Sequence, residues 1–432
     1  MRSFSLLFTS LSLAIYVGLL ASCGSSGSNN TNNSNTSASA PGGNGPGSGS
    51  SGSSSGGSGS AGSGSGNSGS SGSGSGNGGS GAGTSFVSFA YTASTNAIVG
   101  YGVNSDGSLA PLPGSPYAAS LAQNTNIVTN GANLYATAQG QTNLDIFSID
   151  KSNGALTLAN TSNAIAGDPN QGDIAFHLAL DHTGASLYVG VGTNIDGGVN
   201  VFAIGSSPNA QPVQYLAGPS LPLSPRVFSP NNQYAYTSAC TARVEGIFGY
   251  TRVSDATLKD MNPGTPQPPS GNPGEAFCPQ ALATSAKGYL AIVWYPFGYA
   301  SSGQVGTETY VVTYTINADG TLTAVANSQI KTASSSANKV VANFDPTGSF
   351  LAVAGDGGAQ TFAMNANGTL AAVGSPQSAG ANFQDVTWDN SNHVFAANSS
   401  QLYVFDSSTG VLTLASGSPH AGGPQLTVFP IR

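Results

Sequence analysis

Charge is what this 432-residue chain has least of. Asp, Glu, Lys and Arg together make up 6% of it, against roughly 25% in an average soluble protein. The ten Lys and Arg form no cluster, which excludes the basic, phosphate-tracking surface of a nucleic-acid-binding protein. Three cysteines are too few for a four-cysteine zinc site. The four histidines are scattered, apart from His177 and His182. Asp196-Gly197-Gly198 lacks the alternating acidic ligands of a calcium loop, so no metal site is expected. The Gly-Ser repeats near the N-terminus have no strand before them and no Lys after them, as a phosphate loop needs, and no cofactor is expected. No Ser-His-Asp spacing supports a serine nucleophile.

Glycine is abundant: 60 residues, 22 of them between positions 24 and 84. That segment holds 22 Ser, 8 Asn, 4 Ala, 3 Thr and 2 Pro besides, with no charge and no large apolar residue. It can bury no core and reads as a disordered linker. As a flexible coil it has an r.m.s. span of about 40–47 Å. Residues 1–22 before it read as an export signal, with Arg2 as the basic start and an apolar run over 4–20. Leu20-Ala21-Ser22-Cys23 resembles the bacterial lipobox, which implies that Cys23 becomes the acylated N-terminus. The expectation is therefore a signal peptide over 1–22, a tether over 23–84 and a folded domain over 85–432, held to a membrane in the cell envelope by lipid chains.

From residue 85 the sequence repeats. Alternating strands meet at Ser105-Asp106-Gly107, Asn153-Gly154, Asp319-Gly320, Asn367-Gly368 and Thr409-Gly410, each preceded by an aromatic such as Tyr101, Phe147, Tyr314, Phe362 or Phe405. Asp-Gly or Asn-Gly between alternating strands is a hairpin signal, because the tight turn needs positive φ. Copies around Phe202 and Tyr250 lack the glycine. Before each hairpin runs an apolar strand, such as Leu187-Tyr188-Val189 or Leu290-Ala291-Ile292-Val293. Seven copies of four strands, lettered a to d, predict an all-β, seven-bladed β-propeller. The first copy has no strand a of its own, and residues 424–430 form a strand a with no blade after it. The C-terminus is therefore expected to close blade 1 and remove the exposed edges.

In this arrangement the b–c and d–a connections share one face, called the top. It carries the long segments 161–173, 193–198, 261–277 and 296–307, and long insertions on one face of a repeat fold mark a binding face. Asp173, Arg243, Glu245, Glu275, Lys339 and Asp385 are the expected ligand-binding residues there; Asp168, Asp196, Asp356 and His420 fall on the same face. Cys240 ends strand b of blade 4 and Cys278 precedes strand a of blade 5, both at the top. The two are expected to pair in an oxidising compartment.

The Asp-Gly-x-Leu hairpins at Asp106 and Asp319, the Gly-Ser-Pro exits at Gly114, Gly374 and Gly417, and Phe344-Asp345-Pro346-Thr347-Gly348 carry a resemblance over 85–432. The domain resembles the bacterial lactonase family of seven-bladed propellers, which includes 6-phosphogluconolactonase, and the related surface proteins with YVTN-type repeats. The resemblance implies a site histidine seven residues before the a–b turn glycine, the place held by His177 relative to Gly184. It implies a Pro-Arg-His run in another strand a; Pro225-Arg226 is present and Val227 replaces the histidine. It implies an acidic residue after the next strand b, where Ser238-Ala239-Cys240 stand.

Two readings of function follow. One is a tethered monomer that binds a small molecule, glycan or protein on its top face without catalysis. The alternative is a lactone hydrolase, with His177 as general base or acid and Arg226 orienting an anionic substrate.

Overall fold

Positive φ marks the outer hairpin of almost every repeat: Gly107 at 79°, Gly154 at 75°, Gly320 at 85°, Gly368 at 83° and Gly410 at 79°. In the fourth repeat, which has no glycine, Ala256 takes the same conformation at 74°. The computed structural model describes residues 85–119, 125–138, 143–162, 174–192, 197–204, 210–218, 226–240, 245–253, 256–270, 276–297, 306–335 and 339–431. The expected signal, Cys23 and the tether lie outside the described residues, as does the third hairpin turn.

Seven antiparallel sheets form seven blades, each with its a strand innermost. Strands a to d are Gln425–Pro430, Ser88–Ser94, Ala97–Val103 and Leu109–Pro111 in blade 1, and Thr125–Thr129, Asn133–Ala138, Leu144–Ile149 and Leu156–Ser162 in blade 2. Blade 3 has Ile174–Leu180, Ser186–Gly192, Gly197–Ala203 and Gln211–Gly218; blade 4 has Val227–Phe228, Tyr234–Cys240, Glu245–Arg252 and Leu258–Met261. Blade 5 has Ala276–Ser285, Tyr289–Phe297, Glu308–Ile316 and Leu322–Ala324, and blade 6 has Val341–Phe344, Phe350–Gly355, Gly358–Met364 and Leu370–Gln377. Blade 7 has Asp385–Trp388, His393–Ala397, Gln401–Asp406 and Thr413–Leu414.

The b strands are apolar on both faces because both faces are covered. Leu290, Ala291, Ile292 and Val293 of blade 5 are fully buried. The clusters lie between blades: Tyr135, Leu144 and Ile146 of blade 2 pack with Leu178, Leu187 and Val189 of blade 3. Each such side chain contributes about 1.5–3 kcal/mol on burial. Polar fasteners cross the same gaps. Tyr91, Tyr188 and Tyr236 donate their hydroxyls to the carbonyls of Gly154, Ala256 and Gly320 in the next blade, at 2.8, 2.9 and 2.8 Å. Thr313 and Thr361 do the same for Gly368 and Gly410.

The ring closes as the sequence implies. Strand a of blade 1 is the C-terminal segment, antiparallel to Ser88–Ser94 with Ala90 opposite Val428 and Thr92 opposite Leu426. On the bottom face the junction of blades 7 and 1 carries a polar latch. The Asp389 carboxylate meets the His393 imidazole at 2.8 Å and accepts the Ser88 hydroxyl at 3.2 Å.

Two placements differ from expectation. Cys278 lies inside strand a of blade 5 rather than before it, because that strand is ten residues long and reaches further up than its counterparts. The part of the 261–277 insertion that is described, 262–270, runs along the flank of blade 5 instead of over the top. The Pro263 carbonyl accepts the Leu322 amide at 2.9 Å, and the Ser270 amide donates to the Gln329 side chain at 2.8 Å. Its four prolines (263, 266, 268 and 269) keep it extended, and blade 5 supplies the donors they lack.

Candidate functional site

The inner strands begin at the top of the central channel, and their first residues decide what the channel mouth can do. Three of those positions share a register. Asn126, His177 and Asp385 each sit four residues before the residue that opens the a–b turn, opposite Thr137, Gly190 and Ala397 on the neighbouring b strand. Arg226 and Lys339 stand just ahead of the a strands of blades 4 and 6.

Strand a of blade 4 has two residues, so little ladder holds Arg226. Its amide bonds the Tyr236 carbonyl at 2.9 Å. Its guanidinium Nη1 donates to the Gln280 carbonyl of blade 5 at 3.1 Å. Lys339 has no hydrogen-bond partner among the described residues. Neither cation has a carboxylate within salt-bridge distance there; the ion pairs recorded are Arg252–Asp181, Lys331–Glu308 and His393–Asp389. Asp385 is anchored by two amides: Oδ1 accepts from Val386 and Oδ2 from Leu426, both at 2.9 Å.

The charges of these residues act on one another. Burial pushes the His177 imidazole down to about 3, and the charges of Arg226 and Lys339 push the same way. Burial lowers the Arg226 guanidinium. Lys339 is lowered by burial, then further by Arg226, while Asp385 opposes. Burial raises the Asp385 carboxyl to about 6 against the pull of Lys339 and the two amides. Arg226 and Lys339 are nevertheless exposed to solvent, and His177 and Asp385 are partly so. Both facts hold for side chains standing at the mouth of the central channel, a well walled by protein and open to solvent, where charge is less screened than on a flat surface.

At neutral pH the well therefore carries an uncharged imidazole, two cations and a carboxylate close to its titration. Such shifted groups at one channel mouth mark a functional-site candidate. A concavity of about 390 Å³ lies elsewhere, between Pro268, Pro269 and Gln329 on the flank of blade 5, and no titratable group lines it.

Of the residues singled out in the sequence, His177, Arg226, Lys339 and Asp385 come together. Glu245 opens strand c of blade 4 opposite Cys240; its side chain is outside the description. Asp168, Asp173, Asp196, Arg243 and Glu275 lie outside the described residues. His420 packs on Tyr101 with ring centroids 5.7 Å apart, between blades 7 and 1. Asp356, between strands b and c of blade 6, accepts at 2.7 Å the amide of Ser335, which belongs to the blade 5 sheet. Cys240 and Cys278 form the expected disulfide, with Cα atoms 5.5 Å apart. Sequence reasoning missed Asn126 and the Gln280 carbonyl. The four-residue register before the a–b turn points to the first; nothing in the side chains points to the second.

No family model matches the chain, and no curated protein matches it. Solved structures do. The periplasmic gluconolactonase of Pseudomonas aeruginosa aligns at 18% identity with a TM-score of 0.58, over 80% of this chain and 99% of that one. A protein of Bacteroides uniformis assigned as a 6-phosphogluconolactonase aligns at 19% and 0.56, over 80% and 98%. Its counterpart from Bacteroides fragilis aligns at 16% and 0.51, over 80% and 98%. At these identities the likeness is one of fold: residues 85–431 build the seven-bladed propeller that these lactonase-type structures share.

Proposed function

We propose that the chain is an extracytoplasmic lactone hydrolase working at the mouth of its central channel. One observation carries the reading: Arg226 and Lys339, two cations with no carboxylate partner among the described residues, share a well with an uncharged imidazole and a carboxylate. The lactonase-type neighbours and the periplasmic address of one of them support it.

The chemistry needs a polarised carbonyl, a base for water and an acid for the ring oxygen. Arg226 and Lys339 hold an anionic group of the substrate or face the carbonyl oxygen as it gains charge. Asp385, ionised above about pH 6, takes a proton from the attacking water. The C–O bond of the ring breaks and the alkoxide leaves as a hydroxyl. His177 is too weak a base to hold a proton in the empty well. An anion that neutralises Arg226 and Lys339 removes two of the causes that depress it, and the imidazole then can carry the proton to the ring oxygen.

One observation favours a second reading, ligand capture without turnover. Cys240, at the place where the lactonase resemblance implies a carboxylate, is in a disulfide. Hydrolysis of a lactone panel by the full chain, with His177→Ala as control, separates the two: turnover lost in the variant supports the hydrolase, and binding without turnover supports capture. Lipid anchoring through Cys23 belongs to the same proposal; a Cys23→Ala chain is expected to leave the membrane fraction.

A further inference from the structure

Arg226 stands just ahead of the shortest inner strand of the ring. Its strand a, Val227–Phe228, is two residues long, where those of the other blades run from four to ten. Its guanidinium reaches across the gap to blade 5 and finds a main-chain carbonyl, that of Gln280. Gln280 is itself irregular. Pro279 pairs with Trp294 and Ala281 with Val293, so Gln280 is an extra residue in the ladder, a β-bulge. Bulges re-aim the backbone beside functional sites, and here the bulge turns a carbonyl toward Arg226.

Two residues before the bulge is Cys278, bonded to Cys240. Cys240 ends strand b of blade 4, the strand whose Tyr236 carbonyl holds the Arg226 amide. The Tyr295 hydroxyl, from the ladder partner of Cys278, also contacts Cys240 Sγ at 3.5 Å. Thus one strand carries the anchor of Arg226 and one end of the disulfide. The other carries the carbonyl that Arg226 bonds and the other end.

We infer that the Cys240–Cys278 disulfide is a positioning device for Arg226: it sets the distance between blades 4 and 5 at which the guanidinium meets the Gln280 carbonyl and faces the well. The inference rests on the anion-handling role of the well. Without the bond, the Tyr236–Leu282–Leu290 cluster and the Tyr236 hydroxyl on Gly320 still join blades 4 and 5 lower down, but near the top a two-residue strand and a bulge are left to place Arg226. The guanidinium then samples many rotamers, each of which costs entropy to reorder when a ligand arrives.

The chain has five arginines, so the side-chain guanidinium signals of an arginine-labelled full chain are few enough to assign. The Arg226 signal is identified by its absence in Arg226→Lys. Arg252, in the same blade and paired with Asp181 at 2.7 Å, is the internal control. With the disulfide intact, hindered, separately resolved Nη signals are expected from Arg226. In Cys240→Ala/Cys278→Ala they average to one, while those of Arg252 are unchanged. If the double variant does not fold, the folded chain treated with dithiothreitol, which reduces the bond to two thiols, gives the same reading. An Arg226 signal indifferent to the disulfide overturns the inference. So does loss of the Arg226 and Arg252 signals together, which makes the bond a general brace. Titration with inorganic phosphate is the second arm: affinity falls about tenfold in the double variant, the loss of one charge-assisted hydrogen bond. An intact chain that binds no phosphate contradicts the anion-handling role and leaves the spectra to decide the positioning.

Discussion

The backbone amide of Leu426 donates to Oδ2 of Asp385 at 2.9 Å. Leu426 belongs to the strand that closes the ring, and Asp385 to the candidate site, so closure and chemistry share a hydrogen bond. Deleting residues 424–432 removes six ladder pairs with Ser88–Ser94 and exposes the inner edge of blade 1. The expected cost is several kcal/mol from lost hydrogen bonds and apolar burial, read as a fall in melting temperature. An unchanged melting temperature contradicts the closure.

Asp385 gives a pH signature of its own. Its folded-state carboxyl titrates at about 6, above the unfolded value of about 3.9. The folded chain thus holds a proton that the unfolded chain has released, and stability from this group is lost as pH rises through 6. Relative to Asp385→Asn, the natural chain should lose up to about 3 kcal/mol between pH 4 and pH 7. Hydrolysis should move the other way, rising through pH 6 as the base ionises. Denaturant melts of both proteins at the two pH values check the first; a pH–rate profile checks the second.

His393 shows the opposite linkage. Burial lowers its pKa, but the hydrogen bond and charge of Asp389 outweigh it, and the group stands above its ordinary value. A raised histidine contributes stability fully below about pH 6.5 and loses it as pH rises through the folded value. His393→Gln is expected to cost about 1–3 kcal/mol at pH 6 and less at pH 9. An equal cost at both pH values removes the charged latch between blades 7 and 1.

The disulfide closes a loop with a sequence separation of 38. The chain-entropy model gives it about 3–4 kcal/mol. Unreduced peptide mass spectrometry should find Cys240 and Cys278 linked, and Cys240→Ala/Cys278→Ala should melt lower.

Much of this was legible in the letters. The Asp106-Gly107 and Asp319-Gly320 turns, and the orphan strand at 424–430, specify blades and closure because turn chemistry and edge avoidance act locally. Ala256 was harder to read, since an alanine held at positive φ looks like an interrupted repeat. His177 and Arg226 could be named from the lactonase resemblance, and Lys339 and Asp385 from their place on the top face. That they act on one another's charge could not, because residues 177, 226, 339 and 385 come from four blades that only the closed ring brings round one channel. The Gln280 carbonyl was invisible: a main-chain acceptor exposed by a bulge leaves no mark in residue type. The flank course of 262–270 was missed because repeat topology names the face where an insertion starts, and it is the hydrogen bonds to Leu322 and Gln329 that decide where it goes.

Ring opening decides between hydrolysis and capture: its rate is measured with the full chain on lactones that carry a carboxylate or phosphate and on neutral ones of the same ring size. Turnover that favours the anionic lactones is the expected result. His177→Ala and Asp385→Asn should each lose about 10²-fold or more in kcat. Arg226→Ala should raise KM for the anionic substrates more than for the neutral ones. A chain that binds these anions through Arg226 and Lys339 yet opens none of the rings contradicts the hydrolase and leaves a capture protein.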